Sequence, residues 1–120
     1  MQHRAPIPLG CRVGGLLYSS AVLGVDPATG EMPGEGPAQA RIVFDNVRRL
    51  LAVGDATTDD VVFMHVLIAD DDLRDVVNEC WIAMFPDPAD RPARHTTCGD
   101  LPGGMRVQVE LVAVVEDGAG

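Results

Sequence analysis

Lysine is absent from this chain. All nine of its cations are arginine, and eighteen Asp and Glu outnumber them, for a net charge of −9 and an isoelectric point near 4.5. Nucleic-acid binding leans on Lys and Arg to neutralise phosphates, so the charge balance argues against an RNA or DNA partner. The same acidity disfavours anionic membranes. Aromatics are scarce too, with three Phe, one Tyr and one Trp, so the core must be aliphatic. The three cysteines, Cys11, Cys80 and Cys98, are odd in number and form no C-x-x-C pair. Neither a disulfide framework nor a zinc site is indicated, and buried thiols are the expectation. No apolar run approaches the length of a membrane-spanning helix, and the N-terminus lacks an apolar signal core, so a cytoplasmic location is expected. No cofactor or metal motif stands out; His3, His65 and His95 lack ligand spacing.

At 47% hydrophobic and 22% charged residues, the composition is that of a folded globular protein. A chain of 120 residues makes one domain that buries roughly 65% of its unfolded surface. After a lead-in carrying Pro6 and Pro8, Gly14-Gly15 sits between Cys11–Val13 and Leu16–Ser20, as a tight hairpin requires. Asp26-Pro27-Ala28-Thr29-Gly30 then reads as a turn. From Pro37 to about Val53, apolar residues Ala40, Val43, Phe44, Val47, Leu50 and Leu51 recur at helical spacing, with Pro37 at the start and Gly54 past the end. Val61–Ile68 is a nearly continuous apolar run rich in β-branched residues, as in a central strand covered on both faces, and His65 inside it is expected as a buried, hydrogen-bonded residue.

Asp70-Asp71-Asp72 precedes a second helix with Leu73, Val76, Val77, Cys80, Trp81, Met84 and Phe85 at helical spacing. The acids suit a helix N-terminus better than a magnesium site, since no phosphate-cradling glycines accompany them. Met105 to Val115 alternates, with Val107, Val109 and Leu111 facing one way and Arg106, Gln108 and Glu110 the other. Residues 116–120 read as a frayed tail. The order is ββαβαββ, an α+β fold with both helices on one face of a small sheet. The other face needs cover, and self-association supplies it economically.

Between the second helix and the last strand lies Arg91-Pro92-Ala93-Arg94-His95-Thr96-Thr97-Cys98. Pro92 stiffens the turn and delivers Arg94 to the start of a β-branched segment. A guanidinium suits two-point capture of a carboxylate or phosphate. The alternative is an arginine paired with a surface acid.

Asp26-Pro27-Ala28-Thr29-Gly30-Glu31, Gln39-Ala40-Arg41, Asp45-Asn46-Val47, Val77-Asn78, Pro92-Ala93-Arg94 and Leu101-Pro102, in register over nearly the whole chain, resemble the Rid (reactive intermediate deaminase, YjgF-like) proteins. That resemblance implies a chorismate-mutase-like fold, a homotrimer with ligand sites between subunits, and hydrolysis of 2-imino or 2-enamino acids to 2-keto acids and ammonia. It places the carboxylate-binding arginine at Arg94, with Thr96, Asn78, Ile7, Val22 and Trp81 lining the substrate site. The water-activating glutamate of the deaminase branch falls at Gln108, whose amide can orient a water but cannot accept its proton. Ile7 stands where that branch has tyrosine, and Ser20-Ala21-Val22 where it has Ser-Gly-Gln. Glu110, about 7 Å farther along the same strand face, either substitutes for the glutamate or pairs with an arginine at a subunit interface, the latter being the expectation. The alternative function is a non-catalytic trimer that binds small carboxylates as carrier or regulator. Some relatives have been described as ribonucleases, which the acidic charge makes a distant third.

Overall fold

The computed structural model describes residues 6–116. Its strands are β1 (Gly10–Val13), β2 (Leu16–Ser19), β3 (Val22–Leu23), β4 (Val61–Ile68), β5 (Ala93–Cys98) and β6 (Val107–Val114). Its helices are α1 (Gly36–Val53) and α2 (Arg74–Met84). This is the expected ββαβαββ order with one two-residue strand, β3, added. The expected tail lies, beyond Glu116, outside the described residues, as does His3.

One sheet runs β1-β2-β6-β4-β5, and β3 continues the line of β2 along β6. Among the described residues, β4 and β5 alone pair in parallel. Both helices cover one face, where Met64, Val66, Ile68, Val107, Val109 and Leu111 meet Val43, Phe44, Val47, Leu51 and Val77 in a close-packed aliphatic core. The sequence predicts β4 as covered on both faces, but within one chain its second face is open. A register shift between Val61 and Phe63 explains the mixed signal. The bulge inserts one residue, so Val61 and Met64 both turn to the helices while Val62 and Phe63 stay exposed.

Helix α1 begins with proline in its first turn and closes through the Gly54 N–H, which donates to the Leu50 carbonyl at 3.0 Å. The left-handed residue is the next one, Asp55, at φ 60°. Glycine is needed at 54 for another reason: a Cβ there would lie 2.9 Å from Leu17 Cδ2. Ahead of α2, the Asp70 carboxylate accepts from the Asp72 N–H, Arg74 pairs with Asp71 and Arg106 with Asp70. The triple-aspartate stretch is therefore a helix entry with its own counter-charges, and no metal-holding cluster occurs among the described residues.

Two fully buried amides tie the loops to α1. Gln39 donates to the carbonyls of Pro33 and Gly104 and accepts from the Arg106 N–H at 2.7 Å. Asn46 donates to the carbonyls of Leu23 and Val25. The entry to β6 and the loop before α1 thus hang on one side chain, and its loss leaves three part-buried backbone groups without their partner. Gln39→Leu is expected to cost on the order of 3 kcal/mol, measured as a lower denaturation midpoint with unchanged slope.

Candidate active site

The connector before β5 is anchored by Arg91, whose Nε donates to the Phe85 carbonyl at 2.8 Å. Pro92 follows, and β5 starts in register, with Met64 opposite Arg94 and Val66 opposite Thr96. Met64 and Val66 face the helices, so Arg94 and Thr96 do too, but at the sheet edge where α2 leaves room. There Arg94 Nε donates to Thr96 Oγ1 and its Nη2 to Asn78 Oδ1, each at 2.8 Å. The guanidinium carbon stands 5.1 Å from the centre of the Trp81 ring, and Phe85 packs edge-on against that ring with centroids 4.7 Å apart.

Arg94, Thr96, Asn78 and Trp81, all expected at the substrate site, are therefore assembled within one chain. Every contact that orients the guanidinium is neutral. Among the described residues no carboxylate pairs with Arg94, whereas Arg48, Arg74 and Arg106 each have one. Burial, and to a smaller extent the nearby Arg74, pushes its pKa below the usual arginine value, yet a guanidinium stays charged at any working pH. Two of its five N–H groups are spent on Thr96 and Asn78, leaving three for an incoming anion.

Gln108 and Glu110 lie elsewhere. In β6 they alternate with buried Val107, Val109 and Leu111, which puts them on the open face, opposite Arg94. Within one chain Glu110 Oε1 lies 3.1 Å from His65 Nδ1; the arginine expected for it would come from across a subunit interface. His65 is hydrogen-bonded as expected, with Nε2 2.9 Å from Thr97 Oγ1. It is not buried, because residue 65 is paired with Glu110 on the open face and its side chain is 25% exposed. His95 stacks on it at 5.3 Å. Beside the pair, Tyr18, Ser19, Phe63, Leu111 and Val112 complete a pocket of about 150 Å³.

The remaining expected liners divide. Ile7 is half exposed. Val22 is 1% exposed, because its pairing with Val109 turns it to the helix side; its side chain belongs to the core and cannot face a ligand. Cys11 and Cys98 are exposed, contrary to the expectation of buried thiols: Cys11 pairs with Tyr18 on the open face, and Cys98 is the last residue of the edge strand β5. Cys80 is partly buried, and desolvation pushes its thiol pKa up. The Thr97–His65–Glu110 chain was missed because its members are far apart in sequence. A polar residue interrupting the apolar run of β4 was its one visible signal.

The sequence model of the family described as Endoribonuclease L-PSP matches residues 6–115. The chain belongs to the Rid (YjgF-like) family. It is 31% identical over 111 residues to the 2-iminobutanoate/2-iminopropanoate deaminase of Escherichia coli, covering 91% of this chain and 87% of that one. RidA from an Antarctic Psychrobacter superposes with a TM-score of 0.87 at 30% identity, covering 95% of this chain and 92% of that one. E. coli TdcF, solved with bound serine, superposes at 0.85 with 26% identity, covering 95% and 91%. The chorismate-mutase-like fold expected of a Rid protein is thus the fold found.

This Rid protein carries a single tryptophan, which makes Trp81 a reporter for the arginine stacked on it. Arg94→Ala should change tryptophan emission while lowering stability by no more than about 1 kcal/mol, the size of a partly exposed cation–π contact. A large loss of stability would mean that Arg94 is a structural residue instead.

Proposed function

We propose that this Rid protein is a homotrimeric hydrolase that converts 2-imino or 2-enamino acids to 2-keto acids and ammonia. The observation that carries the reading is Arg94, a guanidinium oriented by three neutral side chains and left without an anion. Holding a cation half out of water without a counter-ion is unfavourable, and a substrate carboxylate relieves that cost through paired N–H donors. Fixing the carboxylate also fixes C2 of the imino acid, so that an incoming water meets it in one geometry. The name of the E. coli relative supports the substrate class, and the serine bound to TdcF supports a site sized for a small amino-acid-like carboxylate.

The placement of the two half-sites supports a symmetric assembly such as the homotrimer. Arg94 faces the helices at the sheet edge and Gln108 faces the open side, so the two meet only if a second copy lays one against the other. The open face invites this contact, since Leu16, Tyr18, Val62, Phe63 and Val114 are all more than a third exposed there. Another copy of the chain would cover this apolar band economically. In sedimentation the 12.7 kDa chain is expected at three times its mass. Phe63→Glu, which puts a charge into the apolar band, is expected to yield monomers; a trimer unchanged by that substitution would place the interface elsewhere.

Imine generated enzymatically from serine, or from a bulkier amino acid, should disappear faster in the presence of the protein. Arg94→Ala should abolish the acceleration, and Asn78→Asp should weaken carboxylate binding about tenfold, or 1.4 kcal/mol, by supplying an internal anion. The Gln108 amide, which cannot take a proton, favours a second reading: a trimer that binds small carboxylates without turning them over. Stabilisation by a 2-keto acid that Arg94→Ala removes, with no imine hydrolysis, would select it.

A further inference from the structure

The imine-hydrolase reading leaves one chemical gap. With glutamine at position 108, something else must take the proton from the attacking water. We infer that His65, acting through the Thr97 hydroxyl and held by Glu110, is that base; the inference rests on the reading above.

The hydrogen bonds settle the direction of proton flow. A carboxylate only accepts, so His65 Nδ1 carries the hydrogen that points at Glu110 Oε1, 3.1 Å away. Its other nitrogen, Nε2, is then an unprotonated acceptor, and the hydroxyl 2.9 Å from it donates. Thr97 Oγ1 retains lone pairs to receive a hydrogen from water. Orienting carboxylate, imidazole and hydroxyl form the same relay logic by which a base and its positioning group activate an oxygen nucleophile.

The register brings this relay to Gln108. Gln108 and Thr97 both pair with Leu67, one from each side, so the three lie in one row across the open face, and Glu110, His65 and His95 form the next row. Two strand spacings separate the backbones of Gln108 and Thr97 by about 10 Å. Their side chains can hold one small molecule between them over Leu67. Gln108 orients the water by its amide, and Thr97 takes its hydrogen.

The balance is that of a simple hydrolysis. The water oxygen bonds to C2 while the C=N π pair moves onto nitrogen; the water proton passes to Thr97 Oγ1 and that hydroxyl's own proton to His65 Nε2. The imidazolium, stabilised by Glu110, returns a proton to nitrogen to give the carbinolamine. The relay then takes the carbinol O–H proton as C=O forms and C–N breaks, and the departing nitrogen receives it as ammonia. One water is consumed and no oxidant or reductant is needed.

The titratable groups that face His65 are Glu110 from β6, His95 from β5 and Tyr18 from β2. His65→Gln should lower kcat on the order of 10²-fold and leave KM nearly unchanged. Glu110→Gln, which still accepts from Nδ1, should cost less in kcat than Glu110→Ala, with KM kept by both. Thr97→Val, the mildest change, should lower kcat with trimer mass and Trp81 emission preserved. Restoring the carboxylate with Gln108→Glu in the His65→Gln background should recover at least about tenfold of the lost rate. Full rate in His65→Gln, or full rate in a folded Thr97→Val, would overturn the base while leaving the hydrolase standing. No acceleration by the unmodified protein on any imine would overturn the hydrolase, and the base with it.

Discussion

Strand β4 is paired on both sides, antiparallel to β6 and parallel to β5, and the rest of the molecule depends on that double pairing. It forces three consecutive rows of side chains into register. One face of those rows must be aliphatic, because two helices with hardly an aromatic between them can exclude water only by close aliphatic packing. The opposite face is then free to carry Gln108, Glu110, His65 and Thr97. The bulge after Val61 sets which residues fall on which face, since a one-residue slip would exchange the whole set.

Arg94 gains its character from the same arrangement. As an edge strand with its partner on only one side, β5 lets a long side chain fold round toward α2 while the neighbouring residues His95 and Thr97 look the other way. The arginine is held by an amide, a hydroxyl and an indole face, none of which neutralises it. Its neutral setting distinguishes it from Arg74 and Arg106, which are occupied with capping acids at the entry to α2. In a chain with twice as many acids as bases, the surrounding field repels anions at long range, so under the proposed function a ligand carboxylate is recognised by direct donors rather than by attraction from afar.

The buried amides show how a family pattern can be structural. Gln39 and Asn46, both within the stretches that resemble Rid proteins, hold no ligand and instead close the backbone of the loops around α1 and β6. The motif residues at Asp26 to Gly30 act similarly: the Asp26 carboxylate accepts from Ala28 and its carbonyl from Gly30, where φ is +73°. Likeness across these positions therefore speaks to the fold, and the reading of function rests on Arg94 and the open face.

By itself the sequence determined the order of the main elements, the helix faces and the hairpin at Gly14-Gly15, and it singled out Arg94 as a candidate, because these depend on local periodicity, on turn chemistry and on the fixed charge of one side chain. Only the tertiary structure decided that Val22 is core, that Cys11 and Cys98 are exposed, that Glu110 answers to a histidine, and that Arg94 and Gln108 stand on opposite faces of one sheet. Each of those facts is set by strand register and by one bulge, which join residues dozens of positions apart. No pattern along a single strand can carry that information, since it resides in the hydrogen-bonded alignment between strands.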